Sequence, residues 1–250
     1  MTDFEAAQRL AQRRWPDGMC CGSCGSRRFC HLRCRPREFA CLVCKRRISV
    51  TAGTLLHGSG VPLFVWFVAA HLIASPEGIS AATFRRIVGL SRYETAWRVL
   101  HRVRAGLSLF TLPVPEDAPV ACAPMCPRGG RPREYGRPRI DVAVARVDDR
   151  LVMDIARRAD LRRAVSRQQT DLRLDHILLR TDLHLTWVHH RVSARWLRRY
   201  LAEGAFRIDR RPPVECVDGI LTGSIAPWRV VPPPSGGGGL THERLRGHPR

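Results

Sequence analysis

The chain has 250 residues, 44% hydrophobic and 26% charged, so it can bury one large core or two smaller ones and is not generally disordered. Its longest apolar stretch, 61–74, is shorter than the about 20 residues of a spanning helix, and the acidic, polar N-terminus has no apolar signal core, so a cytoplasmic protein without a membrane partner is expected. Lys+Arg 42 against Asp+Glu 22 leave a net charge of +20, which favours a polyanionic partner and makes nucleic acid the default.

Taken in chain order, residues 1–14 read as an amphipathic helix with Phe4, Ala7, Leu10 and Ala11 on one side. Trp15-Pro-Asp-Gly18 is a turn opening a cysteine-rich region, 15–58, expected to be a ribbon of β-hairpin knuckles. A helical region, 59–112, follows, with helices predicted at 61–74, 80–88 and 92–105 and a break at Ser75-Pro-Glu-Gly78. Pro113, Pro115 and Pro119 mark a linker into a poorly patterned region, 113–211, which the Arg/Gly/Pro-rich stretch 127–139 interrupts. The tail, 212–250, carries a Pro-Pro-Pro-Ser run and four glycines and is expected to be unstructured. The fold class predicted is α+β.

Seven of the ten cysteines lie between Cys20 and Cys44. A secreted disulfide scaffold would be shorter and would spread its cysteines, so local clustering points to metal. Cys21-Gly-Ser-Cys24 and Cys41-Leu-Val-Cys44 are two Cys-x-x-Cys pairs separated by sixteen residues. Two tight turns brought together by a hairpin give the closed four-sulfur shell that structural zinc prefers. Gly25 permits a positive φ in the first knuckle, and Phe39-Ala-Cys41 supplies the strand entering the second. Redox pairs would need a βαβ surround, which the pattern lacks. Cys20 fits a knuckle less well than Cys21, while Cys30, His31 and Cys34 fall in the hairpin between knuckles, leaving open whether any of the three cysteines replaces a ligand. Arg27, Arg28, Arg33, Arg35, Arg37, Lys45, Arg46 and Arg47 surround the knuckles and would set a basic hairpin against phosphates. Lys45 is the only lysine, however, and GC-rich codon usage also inflates arginine, so charge alone does not decide.

Residues 80–104 have helix-turn-helix grammar: a short first helix, Gly89 at the sharp turn, and Ser91 placed to cap the second helix. Ala96, Trp97, Leu100 and Val103 make an inward stripe, and Arg92, Tyr93, Thr95, Arg98, Arg102 and Arg104 are left to face a DNA groove. With Ser91, Arg46 and Arg47, these are the candidate DNA contacts. An ordinary helical hairpin with a solvated basic face is the alternative.

The runs Trp15–Ser26 and Phe39–Thr54, together with Leu55-Leu-His-Gly58, Pro62–Phe67, Gly78-Ile-Ser80, Thr95–Arg98 and His101–Arg104, resemble the zinc-ribbon insertion-sequence transposases, the ISXO-like group. His190–Ser193 and Leu197–Arg211 resemble that family's closing helix. The resemblance implies Zn²⁺ on Cys21, Cys24, Cys41 and Cys44. It implies double-stranded DNA at the element's termini as partner, a homodimer as a further partner, and residence at the bacterial nucleoid. It also implies an RNase H-like catalytic domain in which two Asp and one Glu hold two Mg²⁺ for DNA strand transfer.

The catalytic pattern breaks in this chain. The Gly-Gly-basic turn survives as Gly129-Gly-Arg131, but the first Asp position falls at Ala123 or Pro124. The Glu position falls near Arg173, between Asp171 and Asp175, and the span to Asp175 is too short to hold the second Asp. The resemblance therefore implies a truncated, degenerate RNase H-like remnant with no catalytic residues, and Mg²⁺ would matter only in an active chain. Three functions compete: a transposase by descent that binds DNA without cutting, an active strand-transfer enzyme using displaced carboxylates from among Asp141, Asp148, Asp149, Asp154 and Asp182, and a ribbon and helix-turn-helix regulator.

Overall fold

The computed structural model describes residues 1–108, 114, 119–125, 140–166, 172–190 and 192–222. It is a mixed α+β fold with eight α-helices and two three-stranded antiparallel sheets among the described residues. Helix α1 (Asp3–Arg14) is opened by a capping box, in which the Thr2 hydroxyl accepts from the Glu5 amide and the Glu5 carboxylate accepts from the Thr2 amide. It buries Ala6, Ala7, Leu10 and Ala11.

The ribbon sheet runs β1 (Phe29–His31), β2 (Glu38–Cys41) and β3 (Arg47–Ser49) in that spatial order. His31 stacks between Phe4 and Phe39, with ring centroids 3.8 Å and 4.3 Å away, and its Nε2 bonds the Pro36 carbonyl at 2.7 Å. That packing makes His31 a structural clamp between α1 and the ribbon.

Three helices follow: α2 (Leu63–Ala74), α3 (Ala81–Val88) and α4 (Tyr93–Ser108). Ser80 caps α3 by accepting from the Thr83 amide, and Gly89 ends it in the left-handed region at φ 68, donating to the Arg85 carbonyl. The expected sharp turn is there, and glycine is what permits it. Helix α4 opens one residue later than expected: the Ala96 amide bonds the Arg92 carbonyl at 3.4 Å, so Arg92 rather than Ser91 holds the capping position.

The second sheet is a meander of β4 (Val120–Met125), β5 (Ile140–Val147) and β6 (Arg150–Ile155). Pro124 is tolerated because β4 is an edge strand. Central β5 alternates between two cores: Val142 and Val144 join Leu174, Leu178 and Leu201 on one face, and Ala143 and Ala145 join Val120 and Val152 on the other. The covering helices are α5 (Arg158–Ser166), α6 (Leu172–Trp187) and α7 (Leu197–Ile208). All three strands pair antiparallel, and no parallel strand follows them among the described residues.

One expectation is overturned. Residues 213–222, read as the start of an unstructured tail, form helix α8 (Pro213–Thr222), which buries Cys216, Val217 and Ile220 in the core of α1, α2 and α4. The approach is close enough that a Cβ at Gly106 of α4 would lie 2.7 Å from the Gly219 carbonyl carbon of α8. Arg13 of α1 also pairs with Asp218. The periodicity of this apolar decapeptide was masked by its flanking prolines and the glycine run beyond.

Candidate metal centre and nucleic-acid interface

Each knuckle is closed by its own backbone. Gly25 N bonds Cys21 O at 2.8 Å and Lys45 N bonds Cys41 O at 3.0 Å, with Gly25 at φ 68 and Lys45 at φ 62 in equivalent places. The Sγ atoms of Cys21 and Cys44 lie 3.5 Å apart and those of Cys24 and Cys41 3.6 Å apart, and all four fall within 4.8 Å of one another. A tetrahedral shell with Zn–S near ~2.3 Å would set its sulfurs about 3.8 Å apart, so the cluster could hold a metal ion of that kind.

The close thiols shift one another's acidity in opposite directions. The Cys44 and Val43 amides pull the Cys41 thiol down to about 6. The Ser26 amide lowers the Cys24 thiol, but desolvation and its neighbours' sulfurs together push it up to about 12. Four thiolates this close repel unless a cation sits among them. Cys20, Cys30 and Cys34 do not belong to the cluster: the Cys20 thiol faces the Gly25 carbonyl at 3.5 Å, Cys30 lies on β1, and Cys34 is in the exposed turn after it.

The candidate DNA contacts divide into distinct groups. Arg46, Ser91, Arg92 and Arg98 are exposed. Arg47 is exposed but pairs with Glu38 at 3.7 Å. Tyr93 and Thr95 are half-buried, and Arg102 is half-buried with its guanidinium donating to the Leu55 carbonyl at 3.0 Å. Arg104 is a correction: it is not on the outer face but 1% exposed. Counting from Trp97 and Leu100, position 104 is in phase with the inward stripe, and its charge is what hid the fact.

What holds Arg104 inside is a network that the sequence reading missed. Its Nε donates to Glu203, itself 1% exposed, and its Nη2 donates to the Ile79 carbonyl at 3.3 Å. Arg207 donates to the other Glu203 oxygen at 3.3 Å, and the Arg104 guanidinium lies 4.2 Å from the Tyr200 ring centroid. Burial pushes Glu203 up, but Arg104, His189 and Arg207 outweigh it and hold the carboxylate down at about 2. His101 bonds the Tyr200 hydroxyl at 3.1 Å and stays neutral because burial and Arg104 lower its pKa. The only legible signal was the Glu203/Arg207 pair at helical i,i+4 spacing.

His184, His189 and Glu203 also come within 4.8 Å of one another. Burial, then Arg207, lowers His184 to about 4, and burial lowers His189 to about 3. Both Glu203 oxygens are already taken by guanidiniums, and a dication would add its charge to theirs. The group is therefore an ion-pair core, not a second metal centre.

The carboxylates proposed as displaced catalytic ligands do not assemble. Ala123 and Pro124, the positions at which the resemblance places the first Asp, lie near the end of β4, with Asp141 of β5 opposite Pro124. Asp148 and Asp149 form the β5–β6 turn, Asp154 pairs with Arg198 at 2.9 Å, and Arg173, Asp175 and Asp182 lie on α6. Among the described residues no group of three carboxylates comes close enough to hold an ion. Asp171 and the Gly129-Gly-Arg131 turn lie outside the described residues.

No protein family, curated protein or solved structure matches the chain. No described helix is long and apolar enough to cross a membrane.

Proposed function

We propose that this chain is an insertion-sequence transposase-like DNA-binding protein, with a structural zinc in its ribbon and a catalytic half that does not cut. Cys21, Cys24, Cys41 and Cys44 would hold the zinc in a closed shell with no open position, so the ion would supply folding energy to a ribbon too small for a core of its own. The double-stranded DNA contacts would come from Arg46, Arg92 and Arg98, which remain exposed on the ribbon and at the turn and outer face of α4. The meander β4–β6 with its covering helices is the candidate RNase H-like remnant.

The observation that carries this reading is the physical coupling of ribbon to helix pair. Arg102 of α4 bonds the Leu55 and His57 carbonyls, on the segment that leaves the ribbon. Arg14 likewise ties α1 to the Ser49 and Val50 carbonyls at the ribbon's end. The ribbon and α4 are thereby held in a fixed relation, and one duplex would have to meet the exposed arginines of both. Binding without chemistry also fits a ribbon and helix-turn-helix regulator, for which the exposed Arg92 and Arg98 speak equally.

The test is duplex binding by the zinc-loaded chain against salt. A basic surface of this kind gives an affinity that falls linearly on a log–log plot. Arg98→Ala should weaken all sequences alike and reduce the slope by about one if it contacts phosphate. An affinity that ignores salt would end the proposal. An end-cleavage and strand-joining assay in Mg²⁺ and Mn²⁺, with the element's own termini, should show no product; activity lost in Asp141→Asn or Asp175→Asn would restore the enzyme reading.

A further inference from the structure

A cleft of ≈ 410 Å³ lies between the 58–62 segment and α4, within the roughly 300–1,000 Å³ of small-ligand sites. Val99 and Trp66 make its floor, at 1% and 2% exposure, and Val61 and Leu90 extend it. Arg98, Arg102 and Thr95 line it as well. Neither a bare phosphate nor an apolar ligand matches such a lining, which combines an apolar floor with paired cations and hydroxyls.

Building on the DNA-binding reading above, we infer that this cleft receives one unpaired nucleotide of the bound DNA, its phosphate at Arg98 and Thr95 and its base against the apolar floor. A base within a paired duplex cannot enter a cleft without leaving its stack, whereas an unpaired one enters at small cost.

The walls are set before any ligand arrives. Arg37 donates to the Ser59 and Val61 carbonyls, the Ser59 hydroxyl accepts from the Val61 amide at 3.2 Å, and Arg102 holds the Leu55 and His57 carbonyls. A preformed loop loses little entropy on binding. The field is also suited to an anion. Burial lowers the Arg102 pKa first, and the neighbouring Arg98 charge lowers it further, a repulsion that a phosphate between them relieves.

The experiment compares three 2-aminopurine duplexes of one sequence with the full zinc-loaded chain: fully paired, with one unpaired 2-aminopurine, and with an abasic spacer at that position. The unpaired base should bind about tenfold tighter than the other two, within what one docked base contributes, and its fluorescence should change on binding. Inorganic phosphate at constant ionic strength should compete with the unpaired-base duplex more than with the paired one. Gly60→Leu narrows the cleft at a position with ordinary φ and open space around its Cβ, so it should fold and lose the preference. Arg98→Ala should lose it too. Equal affinity for all three duplexes, or a preference that survives both substitutions, overturns the inference while leaving duplex binding intact. No binding to any of the three overturns the DNA-binding reading with it.

Discussion

Replacing Glu203 by glutamine removes the negative charge that Arg104 and Arg207 share and leaves two guanidiniums facing each other, one of them fully buried. Glu203 and Arg104 are each 1% exposed, so water cannot substitute for the lost partner. Breaking a buried pair by deleting one member costs about 3–5 kcal/mol, a large part of the about 5–15 kcal/mol that holds a domain together. Glu203→Gln should therefore lower the urea midpoint, followed by circular dichroism at pH 7.5 with zinc present, by most of the transition. Charge rather than shape would be responsible. A variant carrying Arg104→Met, Glu203→Leu and Arg207→Met, which removes all three charges at similar volume, should recover most of the loss. A Glu203→Gln chain within about 1 kcal/mol of the parent, or a triple variant worse than the single, would refute the argument.

Burial depresses His184 to about 4 and His189 to about 3; the unfolded chain thus binds more protons below about pH 6.5. Stability should be full above that value and fall by up to about 1.4 kcal/mol per pH unit per histidine as the pH drops toward 4, a slope that His189→Asn should reduce in urea titrations. Purified protein should carry one zinc per chain by elemental analysis, and Cys41→Ser should lose both the metal and the ribbon's protection from amide exchange; retention of structure after chelation would contradict this. Gly106→Ala drives a methyl against the backbone of α8, where no side chain can swing aside, and should cost about 1–3 kcal/mol or more by thermal melting, whereas Gly22→Ala, with open space around it, should be close to neutral.

The local elements were legible because their signals are short-range. Cys-x-x-Cys spacing prescribes its own turn, Ser80 and Gly89 punctuate α3, and the stripe Ala96, Trp97, Leu100 and Val103 is inside as its period requires. What stayed hidden depends on partners distant in sequence. Arg104 reads as a surface cation until Glu203 and Tyr200, about a hundred residues on, supply its cage. The charge count misled in the same way: Arg14 and Arg37 spend their guanidiniums on backbone carbonyls, so the net charge overstates what is left for phosphates. For α8, flanking prolines and a low-complexity run argued for a tail, and only the core of α1, α2 and α4 reveals a socket for it.

That socket makes the N-terminal half discontinuous along the chain. Cys216, Val217 and Ile220 complete a core whose other members are nearly all encoded before residue 108. During synthesis, at about 5–20 residues per second, the ribbon and first four helices emerge well before the helix that closes them. For several seconds the nascent chain presents an open apolar trough along α2 and α4, a natural station for a chaperone. A fragment cut at the proline linker would carry that trough permanently and should be the least soluble piece of the protein.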